Sequence, residues 1–166
     1  MRPTRSVLAL ALVITGALAL PAAAQSTSTT FQVRIAISSV CAFSAPGATN
    51  IDFGTQPSTA ANLDLDGELT VVCTPGTAYN IALDNGQNAG PGGVDARRMS
   101  NGTAFVPYQL YRDVGRTLVW GSLVGTNTVA GTGTGAPQSV PVHARVPSAN
   151  APAGSYLDIV TATVVY

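Results

Sequence analysis

Few side chains in this sequence have the type and setting to carry out chemistry. His143 is the only histidine, so a nucleophilic triad or a zinc centre would have to include it. It lies in a strand-like run near Pro141 with no Asp or Ser pattern beside it, which reads as a structural or surface histidine. Gly121-Ser122-Leu123-Val124-Gly125 has the wrong spacing around Ser122 for a nucleophile elbow. Gly131-Thr132-Gly133-Thr134-Gly135 lacks the strand–loop–helix setting of a phosphate-binding turn and predicts a flexible hairpin loop. Asp64-Leu65-Asp66-Gly67-Glu68 lacks the remaining ligand positions of a calcium loop and predicts a turn leading into a strand at Leu69. Arg97-Arg98 reads as a solvated pair beside a glycine loop, and Tyr108 and Tyr111 as packing residues rather than a carbohydrate platform. Asn101-Gly102-Thr103 matches a glycosylation sequon, a short pattern to which no function is assigned. The expectation is a non-enzyme with no catalytic residue, no cofactor and no metal.

Cys41 and Cys73 are the only cysteines. The first residues read as an export leader, which places both thiols in an oxidising compartment, where a pair most simply forms a disulfide. A metal site would need further ligands, and only His143 is on offer. By loop-closure entropy the bond is worth about 3–4 kcal/mol. The leader is Arg2 and Arg5, an apolar run from Val7 to Leu20, then Pro21 and Ala22-Ala23-Ala24. Cleavage is expected between Ala24 and Gln25. A membrane anchor is the alternative, but the run is short and no stop-transfer cluster follows. Without residues 1–24, six arginines and no lysine face eight acids. That balance offers no basic stripe for nucleic acid and no basic amphipathic helix for a membrane.

The elements that position these residues are strands and turns. Phe31-Gln32-Val33-Arg34-Ile35-Ala36-Ile37 alternates strictly, with Phe31, Val33, Ile35 and Ile37 on one face. Leu69, Val71 and Cys73 alternate before the turn at Thr74-Pro75-Gly76, and Tyr79–Leu83 is a short strand closed by Asp84-Asn85-Gly86. Phe105–Tyr111, Thr117–Trp120, Gln138–Val146 and a long terminal run, Tyr156–Tyr166, are further strand candidates. Pro141 places its strand at an edge or a bulge. Short strands spaced by Gly and Pro turns, in one exported chain with one disulfide, predict an all-β sandwich of immunoglobulin-like kind. No second domain or internal repeat is visible.

The terminal segments pose an edge problem. An open sandwich must manage its edges and its apolar groove, and one solution is to borrow a strand from a neighbour. Phe31–Ile37 would reach about 23 Å when extended. Burying its four apolar side chains is worth about 6–12 kcal/mol as an upper bound. The pattern alone favours pairing of this segment within its own domain, as most alternating strands do, over donation to a neighbour.

Several short motifs follow in a fixed order: the alternating strand ahead of Cys41, Ile51-Asp52-Phe53-Gly54, Leu69-Thr70-Val71-Val72-Cys73-Thr74 and Tyr79-Asn80-Ile81-Ala82-Leu83-Asp84. Then come Arg98-Met99, Tyr108–Asp113, Trp120-Gly121 and Ala153-Gly154-Ser155-Tyr156-Leu157-Asp158. From about Phe31 to Tyr166 the chain resembles the spore coat protein U family, which includes pilin subunits of the archaic chaperone–usher type. The resemblance implies an incomplete pilin-type sandwich over residues 38–166, completed by a donated strand, with residues 25–37 as the N-terminal extension that donates. It implies that Phe31, Val33, Ile35 and Ile37 are the donor face. It also implies a groove bordered partly by Tyr156–Tyr166, and a Cys41–Cys73 staple between the start of one core strand and the end of another. The partners it implies are neighbouring copies or related subunits, a periplasmic chaperone and an outer-membrane usher. Neither nucleic acid nor a small-molecule substrate is among them. The expected location is the periplasm in transit, then a cell-surface fibre with a place in adhesion or biofilm. The competing expectation is a self-contained secreted coat or matrix protein.

Overall fold

The computed structural model describes residues 23–166, so the expected leader lies almost wholly outside the described residues. The chain divides into a leading segment through Ala36 and a body, Ile37–Tyr166. In the leading segment no residue from 23 onward carries a strand or helix assignment. The body is all-β apart from one short 3-10 turn, Gly93–Ala96. Its strands are β1 Cys41–Ala48, β2 Ala61–Cys73, β3 Ala78–Leu83, β4 Arg98–Ser100, β5 Phe105–Pro107, β6 Gln109–Tyr111, β7 Val129–Thr132, β8 Gln138–Ser148 and β9 Ala162–Val165.

Two sheets face each other. One has the order β1-β2-β8-β6 and the other β7-β3-β9, with β4-β5 as a small separate pair. The core forms where their inner faces meet. Leu69, Val71 and Cys73 of β2 and Val142, Ala144 and Val146 of β8 pack against Tyr79, Ile81 and Leu83 of β3, with Trp120 fully enclosed. The period-2 alternation of β2 supplies this face directly. The indole N–H of Trp120 donates to Ile81 O at 2.8 Å, so its one polar atom is satisfied inside the core. Cys41 and Cys73 sit directly opposite each other on β1 and β2 and form the expected disulfide.

Several sequence expectations are corrected. Asp64–Glu68 is not a turn but the middle of β2, paired residue by residue with β8 from Asp64↔Arg145 to Glu68↔Pro141. Gly67 signals close packing rather than a bend, because a Cβ there would lie 2.7 Å from Ile51 Cγ1. The outward acids are compensated across the strands. Asp64 takes a two-pronged bond from Arg145 at 2.7 and 2.8 Å, which holds its carboxyl below the usual range. The glycine run 131–135 starts inside β7, where the Tyr79 ring occupies the space a Cβ on Gly131 would need.

Thr117–Trp120 forms no strand, only a single bridge from Val119 to Tyr111. Phe105–Tyr111 splits into β5 and β6 around Tyr108. Pro141 carries no bulge, and its strand lies inside the sheet order. β6 pairs only with residues 143–145, so the flank of Pro141 away from β2 has no ladder among the described residues, and a missing N–H is tolerated there. Of the long terminal run, only Ala162–Val165 is strand. Phe31–Ile37 is not a strand either, since a strand needs a hydrogen-bonded neighbour and none is assigned to it among the described residues.

Candidate functional site

β1 and β9 are edge strands of opposite sheets. β1 pairs only with β2 and β9 only with β3, so each has one edge without a ladder among the described residues. These edges approach each other, and an open groove of about 460 Å³ lies along them. Phe43, Pro46, Gly47, Ala48 and Thr49 form one lip; Val160, Thr161 and Ala162 form the other. The floor is Leu69, Leu83, Leu110 and Val142, all buried. Pro46 on an edge strand gives up an N–H that no ladder uses.

The chemistry of the groove is that of a backbone edge above an apolar floor. Its polar side chains are Thr49 and Thr161, and Thr49 Oγ1 already accepts the Glu68 N–H at 2.7 Å. A larger recess of about 560 Å³ opens by Arg98, Tyr108, Gln109 and Tyr111, but its polar groups are largely engaged. Gln109 is bonded to Arg97 and to Val94 O, and Arg98 is bonded to Asn88 O and stacked over Phe105 at 3.8 Å. The Tyr108 hydroxyl donates to Asp158 Oδ2 at 2.7 Å. His143 lies on β8 with Nδ1 3.0 Å from Asp66 Oδ1, a carboxylate already bonded by Arg116.

A polar network behind the β9 lip ties together motifs that are far apart in sequence. Arg97, read from sequence as solvated, is 1% exposed. Its guanidinium donates to the carbonyls of Asp84, Leu83 (3.3 Å) and Trp120 (2.8 Å) and to Gln109 Oε1 (3.0 Å). Burial lowers its pKa, against the pull of Tyr108, Asp84, Asp158 and Asp95. Burial, reinforced by Asp158, pushes the Tyr108 phenol far up, so it stays a donor. No compositional signal marks Arg97 as buried, because its acceptors come from separate parts of the chain.

Cys41 and Cys73 anchor β1 to β2 at one end of the groove's first lip. Phe31, Val33, Ile35 and Ile37 stand 85%, 86%, 87% and 79% exposed, and no strand brings them into a core. Ala24 and Gln25 are exposed and outside any element.

Comparison with known proteins follows the same lines. Residues 27–163 match the Spore Coat Protein U domain. Protein U of Myxococcus xanthus is 33% identical over 159 residues, covering 88% of each chain. Among solved structures, one chain of the chaperone–tip adhesion subunit pre-assembly complex of archaic chaperone–usher Csu pili from Acinetobacter baumannii superposes with a TM-score of 0.58 at 21% identity. The match covers 78% of this chain and 40% of that one, and at that identity it establishes the all-β pilin-type fold. The match to a relative over most of both chains, the family match across the body and the open two-sheet architecture agree: this chain belongs to the Spore Coat Protein U domain family.

Proposed function

We propose that the chain is an exported structural subunit of a surface fibre, assembled by a chaperone–usher route in which Phe31–Ile37 of one copy fills the groove of the next. One observation carries this reading. The same chain holds an apolar segment with no strand partner among its described residues, and an apolar groove bordered by two open strand edges. Each is the kind of surface the other would cover. A strand laid between β1 and β9 would give both edges a ladder, and its alternating side chains would meet the floor. The extended length of about 23 Å suits a strand-for-strand fit.

On this reading the leader is removed between Ala24 and Gln25, a periplasmic chaperone covers the groove in transit, and an outer-membrane usher catalyses the exchange. The solved relative named above is, by its description, a chaperone–subunit pre-assembly complex, which supports a chaperone as partner here.

Deletion of residues 25–37 tests the reading. The expected result is an exported chain that no longer assembles, seen by electron microscopy and by size on gel filtration. Ile35→Asp should weaken assembly in the same direction while leaving the body folded. Fibres from the deleted chain would overturn strand donation. A stable monomer whose segment 31–37 resists protease would establish the self-contained coat protein instead.

A further inference from the structure

β9 is only four residues long, and Leu157–Thr161 before it belong to no strand. Yet Val160 and Thr161 form part of the groove's second lip. Whatever holds Leu157–Thr161 therefore sets the shape of that lip. A bridge to Ser100 secures Leu157. Beyond it, two carboxylates do most of the holding, and they reach in opposite directions.

Asp84, just after β3, accepts the N–H of Thr161 at 2.9 Å and that of Gly86 at 2.9 Å through Oδ1, while its own N–H donates to Thr161 O at 3.0 Å. Asp158 reaches back. Its Oδ1 accepts the N–H of Gln87 (2.9 Å), the N–H of Asn88 (3.1 Å) and Nδ2 of Asn88 (3.0 Å), and its Oδ2 accepts the Tyr108 hydroxyl. The Gln87 N–H is shared with Ile159 O at 3.2 Å, and Asn88 Nδ2 also donates to Leu157 O at 3.2 Å. Behind this crossing, Arg97 fixes the Asp84 carbonyl. Bonds to an ionised acceptor are stronger than neutral ones, and a protonated carboxyl cannot accept as many donors.

We propose that Asp84 and Asp158 form a carboxylate latch that positions the β9 lip to receive and retain a donated strand. The inference rests on the strand-donation reading above. The ionisable groups around the latch are Arg97, Tyr108 and Asp95, with Arg98 bonded to Asn88 O. Burial alone would raise the Asp84 pKa. The N–H groups of Thr161 and Gly86, helped by Arg97, bring it below the usual carboxylate range instead. Its contribution is thus present at neutral pH and lost as pH falls through and below that range.

The test follows subunit release from assembled oligomers of the full exported chain, by light scattering, at neutral pH and at about pH 2, below the usual carboxylate range. Wild-type release is expected to be about tenfold faster in acid. Asp84→Asn and Asp158→Asn are expected to release about tenfold faster already at neutral pH, and Asp84→Asn should show a smaller acid-to-neutral ratio than wild type. Asp158→Glu, which keeps the charge and an acceptor, should release more slowly than Asp158→Asn at neutral pH. Hydrogen exchange on the same oligomers separates a latch from general weakening. The amides of Gln87, Asn88 and Thr161 should exchange faster in the Asn variants while those of β2 and β8 do not change. Equal acceleration in β2 and β8, or wild-type release from both Asn variants, would overturn the latch. Oligomers that form without residues 25–37 would remove strand donation itself. Oligomers that need that segment but ignore both carboxylates would remove the latch alone.

Discussion

The guanidinium of Arg97 joins the end of β3, Gln109 at the start of β6 and the Trp120 loop, through the carbonyls of Leu83, Asp84 and Trp120 and the Gln109 side chain. Removing it strands those acceptors in a nearly dry site, and that cost exceeds the value of the bonds themselves. Arg97→Ala is expected to destabilise the body by about 3–5 kcal/mol, measured by denaturant unfolding. Arg97→Lys should cost less but still about 2 kcal/mol, because an ammonium cannot span acceptors placed for a planar fork. Sequence reading failed here for a physical reason. The pair Arg97-Arg98 looks solvated in any local window, and only the fold supplies buried carbonyls to the first while leaving the second stacked on Phe105. Cys41 and Cys73 behave oppositely. Two cysteines in an exported chain have few options, and their pairing was legible from residue identity alone.

At the scale of elements, β1 is held by a ladder on one side only. Its ladder to β2 is irregular between Phe43 and Ala48, and its far edge has no ladder among the described residues. The disulfide therefore matters most for β1. Replacing both cysteines by Ser is expected to cost about 2–5 kcal/mol and to raise hydrogen exchange in β1 well above that in β8, read by mass spectrometry. The strands legible in the sequence were those with period-2 alternation facing the core, such as Leu69–Cys73 and Tyr79–Leu83. The ones misread were set by long-range contacts. Asp64–Glu68 looks like a turn until β8 lies beside it, and the terminal run looks like one strand until the latch diverts its first half. A glycine filled against by Ile51 or Tyr79 has the same local signature as a glycine that bends the chain.

At the scale of the whole molecule, the proposed donation of a strand into a separate groove would make a head-to-tail contact, which builds an open chain rather than a closed dimer. A chain lacking residues 25–37 would still present a groove but have nothing to donate. Added to the wild-type chain in rising proportion, it is expected to shorten fibres progressively, measured as length distributions by electron microscopy. Unchanged lengths would count against a directional contact. The sequence by itself determined the all-β class, the disulfide, the apolar face of Phe31, Val33, Ile35 and Ile37, and the family, because these follow from local periodicity, residue identity and motif order. Tertiary structure alone decided where the groove lies, that Arg97 is buried, and that Asp84 and Asp158 meet across the β9 lip. Those features depend on residues far apart in the chain being brought to one place, and no local pattern encodes which distant carbonyl, amide or strand edge will arrive there.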